Sequence, residues 1–171
     1  AEVVGERGSV YGIDVSEAVL EMAARRCTGL PQVTLERGDA VDLPVADESF
    51  DAAVSVQVYA YVHDVDTAVA ELNRVLRPGG RAAVYSTDWD GFVWHSSDRD
   101  RMERAIDAFT DVYDNPNLGA QLASHFHDAG LTVEHVEPNS ILNTGLDGTF
   151  AGFLIDLLRG QMEASETFEP T

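Results

Sequence analysis

Two carboxylates in "GIDVS" and "RGDA", a glutamine in "SVQV" and the aromatic residues of "TDWDGFVWHSSD" have types and positions suited to chemistry. Asp14 closes a short apolar run, where an acid can accept hydrogen bonds from both vicinal hydroxyls of a ribose. Its other use is to place negative charge at the start of the following helix. In Gly38-Asp39-Ala40 the carboxylate can accept from an exocyclic adenine amine while the next backbone N–H donates to the ring. The same tripeptide also makes an ordinary turn. Gln57 ends a third apolar run and would face the same cleft. Trp89, Phe92, Trp94 and His95 crowd one polar loop, which either covers a ligand cleft or is tied to the core by its two tryptophans.

These residues need strands and helices to position them, and the periodicity supplies both. Residues 9–16 read as a strand ending in Asp14. Residues 16–27 read as a helix with Ser16 as N-cap and Val19, Leu20, Ala23 and Ala24 at helical spacing. A second strand is predicted over 32–40. A third lies within 49–62, apolar on both faces as buried parallel strands are. Residues 64–77 carry Val65, Val69, Leu72 and Leu76 on one helical stripe, and a fourth strand follows over 80–87. Strands alternating with helices of this length predict a parallel sheet flanked by helices, with ligands at the carboxyl ends of its strands.

"GIDVS", then "RGDAVDLPVADESFDAAVSVQVYAYVHD", then "ELNRVLRPGGRAAVYS" together resemble the class I S-adenosylmethionine-dependent methyltransferases. The resemblance is greatest to the small-molecule branch with the ubiquinone/menaquinone methyltransferase-like (type 11) domain. It covers about residues 9–90 and implies an α/β three-layer sandwich with a mostly parallel, Rossmann-like sheet. It further implies Asp14 on the cofactor ribose, Val15 beside the adenine, Asp39 on the adenine amine, Ala40 as a backbone donor, and Gln57 near the methionine part. Tyr59 and Tyr61 then stand where a substrate wall could form, Trp89, Trp94 and His95 would take part on the substrate side, and His63 is a surface residue. The Pro78-Gly79-Gly80 joint is architectural, stopping one helix and aiming the next strand.

The family's Gly-rich loop after its first strand has no counterpart in these residues, and "AEVVGERGSVYGIDVS" reads as the end of a first helix followed by a second strand. Residues 130–142 read as a sixth strand and 147–160 as an amphipathic helix, with no final antiparallel strand after it. The expectation is one methyltransferase domain over 1–171, with a cofactor part at 1–90 and a substrate or lid part at 91–171, lacking its first and last strands and clipped at both ends.

Thirty acids oppose eleven basic residues, all Arg, for a net charge of −19. That charge repels nucleic-acid phosphates and anionic headgroups, so neither nucleic acid nor membrane is an expected partner. It also points to a halophilic host, where salt screens self-repulsion. No run reaches the ~18 apolar residues of a bilayer span, and the single Cys27 suits a reducing, cytoplasmic interior. No metal site is expected: His125 and His127 lie two apart on a helix, facing different sides, with no completing ligand set. The leading reading is methyl transfer from S-adenosylmethionine to a small molecule. The alternatives are a non-catalytic binding module and an NAD(P)-dependent oxidoreductase. The methyl acceptor, any general base and the oligomeric state stay open.

Overall fold

The computed structural model describes residues 3–89, 91, 93–110 and 113–164. Its order is β1 (Val10–Asp14), α1 (Glu17–Arg26), β2 (Val33–Arg37), β3 (Phe50–Val56), a 3-10 turn (Tyr59–Tyr61), α2 (Val65–Val75), β4 (Leu76–Tyr85), α3 (Arg99–Thr110), α4 (Leu118–Asp128) and α5 (Phe150–Ala164). The alternation over residues 9–85 follows the sequence reading. Ser16 caps α1 by accepting from the Val19 N–H at 3.4 Å.

The four strands among the described residues pair in parallel, as expected of a mostly parallel sheet, but in two separate two-stranded sheets, β1–β2 and β3–β4. Near their amino ends the sheets meet through the rings of Tyr11 and Phe50, 6.1 Å apart. Helix α2 buries Val65, Ala68, Val69, Leu72 and Val75, spaced to form one stripe. With Leu118 and Leu122 of α4 and the ring of Tyr59, most of that stripe makes the main core, against which Ala53 and Val84 of the strands pack.

Three expectations need correction. The third strand is covered on one face alone: Val54 is 75% exposed and Val56 59% exposed, because no described helix lies over that side. The three-layer arrangement is therefore incomplete among the described residues. Residues 130–142 form no strand; they run without regular structure and mostly exposed, tied to β4 by an ion pair between Glu134 and Arg81 at 3.4 Å. The fourth strand starts at Leu76, ahead of the Pro-Gly-Gly joint, which sits inside it as a bulge where Asp51 alone in β3 is matched by residues 77–80 of β4. Gly79 has φ +81°, and a Cβ on Gly80 would come within 2.9 Å of the Arg77 carbonyl oxygen, so both glycines are required by the bend.

Candidate functional site

Asp14 and Asp39 reach the same end of the β1–β2 sheet because the strands are parallel and in register, Asp14 opposite Arg37. One hydrogen bond carries the pairing past the strand: the Gly38 N–H donates to the Asp14 carbonyl at 3.2 Å. Gly38 permits that approach, since a Cβ there would lie 2.9 Å from both Ile13 and Pro44. Each carboxylate spends one oxygen on its own turn. Asp14 Oδ1 accepts from the Ser16 N–H at 2.8 Å, and Asp39 Oδ1 from the Val41 N–H at 3.2 Å. The second oxygen of each has no hydrogen-bond partner among the described residues. Asp14 thus braces the turn before α1, as the capping alternative requires, and keeps acceptor capacity for a ligand.

Val15, 57% exposed beside Asp14, is held by its carbonyl, which accepts from Arg37 Nε at 3.2 Å. Ala40 packs against the main core on the far side of the Asp39 turn. The segment after Asp39 is strapped to α2 by one guanidinium. Arg74 donates to Glu71 Oε1 at 2.6 Å, to Asp47 at 2.7 Å, and to the carbonyls of Val45 and Leu43 at 2.9 and 3.1 Å. Glu71 in turn accepts from the Leu43 N–H at 2.8 Å. These bonds to Arg74 hold the Glu71 carboxyl below the ordinary range. Neither residue stood out in the sequence, where Glu71-x-x-Arg74 looks like a surface helix pair.

At the end of β3, Gln57 takes a left-handed backbone, φ 56°. Its side chain is committed to the neighbouring strand end: the Thr87 N–H donates to Gln57 Oε1 at 3.0 Å, and Gln57 Nε2 donates to Thr87 Oγ1. Its sequence-assigned place near a methionine chain is therefore subject to this clamp. Beyond it the expected aromatic wall divides. Tyr59 is 4% exposed and belongs to the core, with its hydroxyl pushed up to about 12 by burial. Tyr61 is exposed. Trp89 is buried as well, stacked on Tyr113 at 4.7 Å and edge-on to Phe109 at 5.1 Å, so it anchors its loop on α3 instead of lining a cleft. Trp94 is half-buried and His95 exposed in the irregular segment before α3; Phe92 lies outside the described residues. His63 is on the surface, and His125 pairs with Asp66 at 2.6 Å while His127 points to solvent.

These positions fit one half of S-adenosylmethionine. The paired acids and Val15 offer the acceptors and the apolar edge that an adenosine group needs. Gln57, which the resemblance sets near the methionine end, stands at the end of β3 in the other sheet and is held there by Thr87. An open cavity lined by Glu6, Gly8, Gly29, Leu30, Pro31 and Gln32 lies at the opposite, amino end of β1 and β2, away from this chemistry.

Comparison with known proteins bears on the family. Residues 1–84 match the family described as a methyltransferase domain. The chain is 40% identical over 139 residues to an uncharacterized 37.1 kDa transposon protein of Streptomyces fradiae, covering 81% of this chain and 40% of that protein. It is 44% identical over 87 residues to the 2-phytyl-1,4-naphtoquinone methyltransferase of Synechococcus elongatus, covering 49% of this chain and 37% of that enzyme. Among solved structures it resembles a SAM-dependent methyltransferase of Thermotoga maritima, a possible histamine N-methyltransferase. The TM-score there is 0.55 with 28% identity, over 71% of this chain and 54% of the other. The chain spans 40% or less of the length of these curated relatives. In its fold and in the matched residues that carry Asp14, Asp39 and Gln57, the chain is similar to the class I S-adenosylmethionine-dependent methyltransferases.

Proposed function

We propose that the protein carrying this chain transfers a methyl group from S-adenosylmethionine to a small molecule, with Asp14 on the ribose hydroxyls and Asp39 on the adenine amine. The observation that supports this most is the joining of the two strand ends through Gly38, which brings two half-satisfied carboxylates to the same end of the β1–β2 sheet. Val15 lends an apolar edge and Ala40 a backbone donor. S-adenosylmethionine, when bound, supplies a methyl group already activated on a sulfonium. What remains for the chain is alignment, which can lower a barrier by several kcal/mol without acid or base.

The naphtoquinone methyltransferase relative supports a small-molecule acceptor, and the charge of −19 argues against nucleic acid and anionic membrane surfaces. The same charge, with Arg as the basic residue throughout, supports a salt-rich cytoplasm as the working environment. Among the described residues no helix is long and apolar enough to cross a membrane. Trp94 and His95, on the segment before α3, are proposed to border the acceptor.

A binding module without turnover is the second reading, favoured by the Gln57 amide being engaged by Thr87. Two measurements separate the readings. Titration with S-adenosylhomocysteine, competed by adenosine, should show saturable binding under both. Methyl transfer from labelled S-adenosylmethionine into a small-molecule extract should appear under the first alone. Absence of binding to the whole protein would exclude both.

A further inference from the structure

The turn after β3 is held far more firmly than a surface connection needs. Gln57 enters it with φ 56°, a conformation uncommon for a residue with a side chain, and is kept there by its exchange of hydrogen bonds with Thr87. Tyr59 is sunk in the α2–α4 core, and Ala60 is fully buried among Trp89, Phe109, Tyr113 and Leu154. Asn115 then closes the turn from outside. Its N–H donates to the Ala60 carbonyl at 3.1 Å and its Nδ2 to the Val62 carbonyl at 2.6 Å. Four attachments from three parts of the chain thus fix one short turn at the carboxyl end of a parallel strand, where ligands bind in such sheets.

Within that turn, from Val58 to Val62, the largest side chain left facing outward is Tyr61, 54% exposed. Its ring rests on Tyr113 at 4.9 Å, and Tyr113 is itself stacked on Trp89. A ring supported from below by a buried aromatic stack has little freedom left to lose when a ligand covers it. We propose that Tyr61 is the specificity-determining contact for the methyl acceptor, and that it selects acceptors with a flat, apolar ring. This rests on the methyl-transfer reading for what the acceptor becomes, though not for its being bound.

The Tyr61 face accepts a flat ring by stacking, a geometry that a saturated ring cannot match. Leucine at this position would keep the apolar character and lose the plane. Phenylalanine would keep both and lose the hydroxyl that interacts with Tyr113.

The test uses 1-naphthol and cyclohexanol as probes on the whole protein, each titrated with and without S-adenosylhomocysteine. The wild-type protein and Tyr61→Phe should bind 1-naphthol with affinities within about twofold, and Tyr61→Leu about three- to tenfold more weakly, the span that ring stacking gives. Cyclohexanol affinity and melting temperature should be the same in all three. Equal 1-naphthol affinity in wild type and Tyr61→Leu overturns the assignment, as does a wild-type protein that binds no 1-naphthol. Retained discrimination at Tyr61 by a protein that binds no S-adenosylhomocysteine leaves the assignment standing and removes the methyl-transfer reading instead.

Discussion

Gln57 and Thr87 hold each other across the ends of β3 and β4: the threonine N–H donates to the glutamine carbonyl oxygen at 3.0 Å, and the glutamine amide donates to the threonine hydroxyl. The exchange offsets a left-handed backbone at Gln57 that would otherwise cost roughly 1–2 kcal/mol. Thr87→Val keeps the shape and removes the hydroxyl. It should lower unfolding free energy by about 1 kcal/mol, read by chemical denaturation. Adding Gln57→Gly to that variant should recover most of the loss, because glycine reaches the same φ without strain. A neutral Thr87→Val would show that the clamp does not hold the turn.

The Arg74 strap gives a pH dependence of definite sign. Glu71 is more acidic in the fold than its ordinary value of 4.5, chiefly through its bonds to Arg74. A lowered carboxyl contributes stability above the unfolded value and loses it as pH falls through the folded value. The melting-temperature gap between wild type and Glu71→Gln should thus be widest at neutral pH and close as pH drops below 4.5. Following the difference, not the wild type alone, sets aside the relief of repulsion that protonating thirty acids brings. A gap that is constant with pH would mean that Glu71 contributes no charge-dependent stability.

Much of this architecture was legible in the sequence. Four strands, the Ser16 cap and the α2 stripe follow from apolar spacing, which reports directly on which faces are buried. Residues 130–142 misled because strand periodicity shows what a segment could pair, and not that it does. The acids were legible because a carboxylate closing an apolar run is conspicuous. Arg74 and Asn115 were not, since each acts on backbone groups of a segment distant in sequence, Arg74 on Val45 and Asn115 on Val62, and neither was Thr87, whose partner is the distant Gln57 side chain. Tyr59 and Trp89 show the ambiguity of aromatics, which pack cores and line clefts with the same chemistry.

Salt should stabilise the protein steeply. Thirty acids against eleven arginines leave a repulsion whose range falls from about 10 Å at 0.1 M salt to about 3 Å at 1 M. Thermal melts in potassium chloride should rise throughout that interval. A flat melting temperature would remove the halophilic assignment and leave the site untouched.

Asp14 either holds a ligand or merely braces its own turn. Titrating S-adenosylhomocysteine into the whole protein and its Asp14→Ala variant, with melting temperature read on the same samples, decides this. Loss of a charge-assisted pair of ribose hydrogen bonds should weaken binding by roughly 1–3 kcal/mol, about five- to 150-fold. The bond to the Ser16 N–H is lost as well, so melting should fall by the equivalent of about 1 kcal/mol. Asp14→Glu should bind more tightly than Asp14→Ala, the carboxylate being kept one methylene away. A lowered melting temperature with unchanged affinity would contradict the assignment of Asp14 to the cofactor.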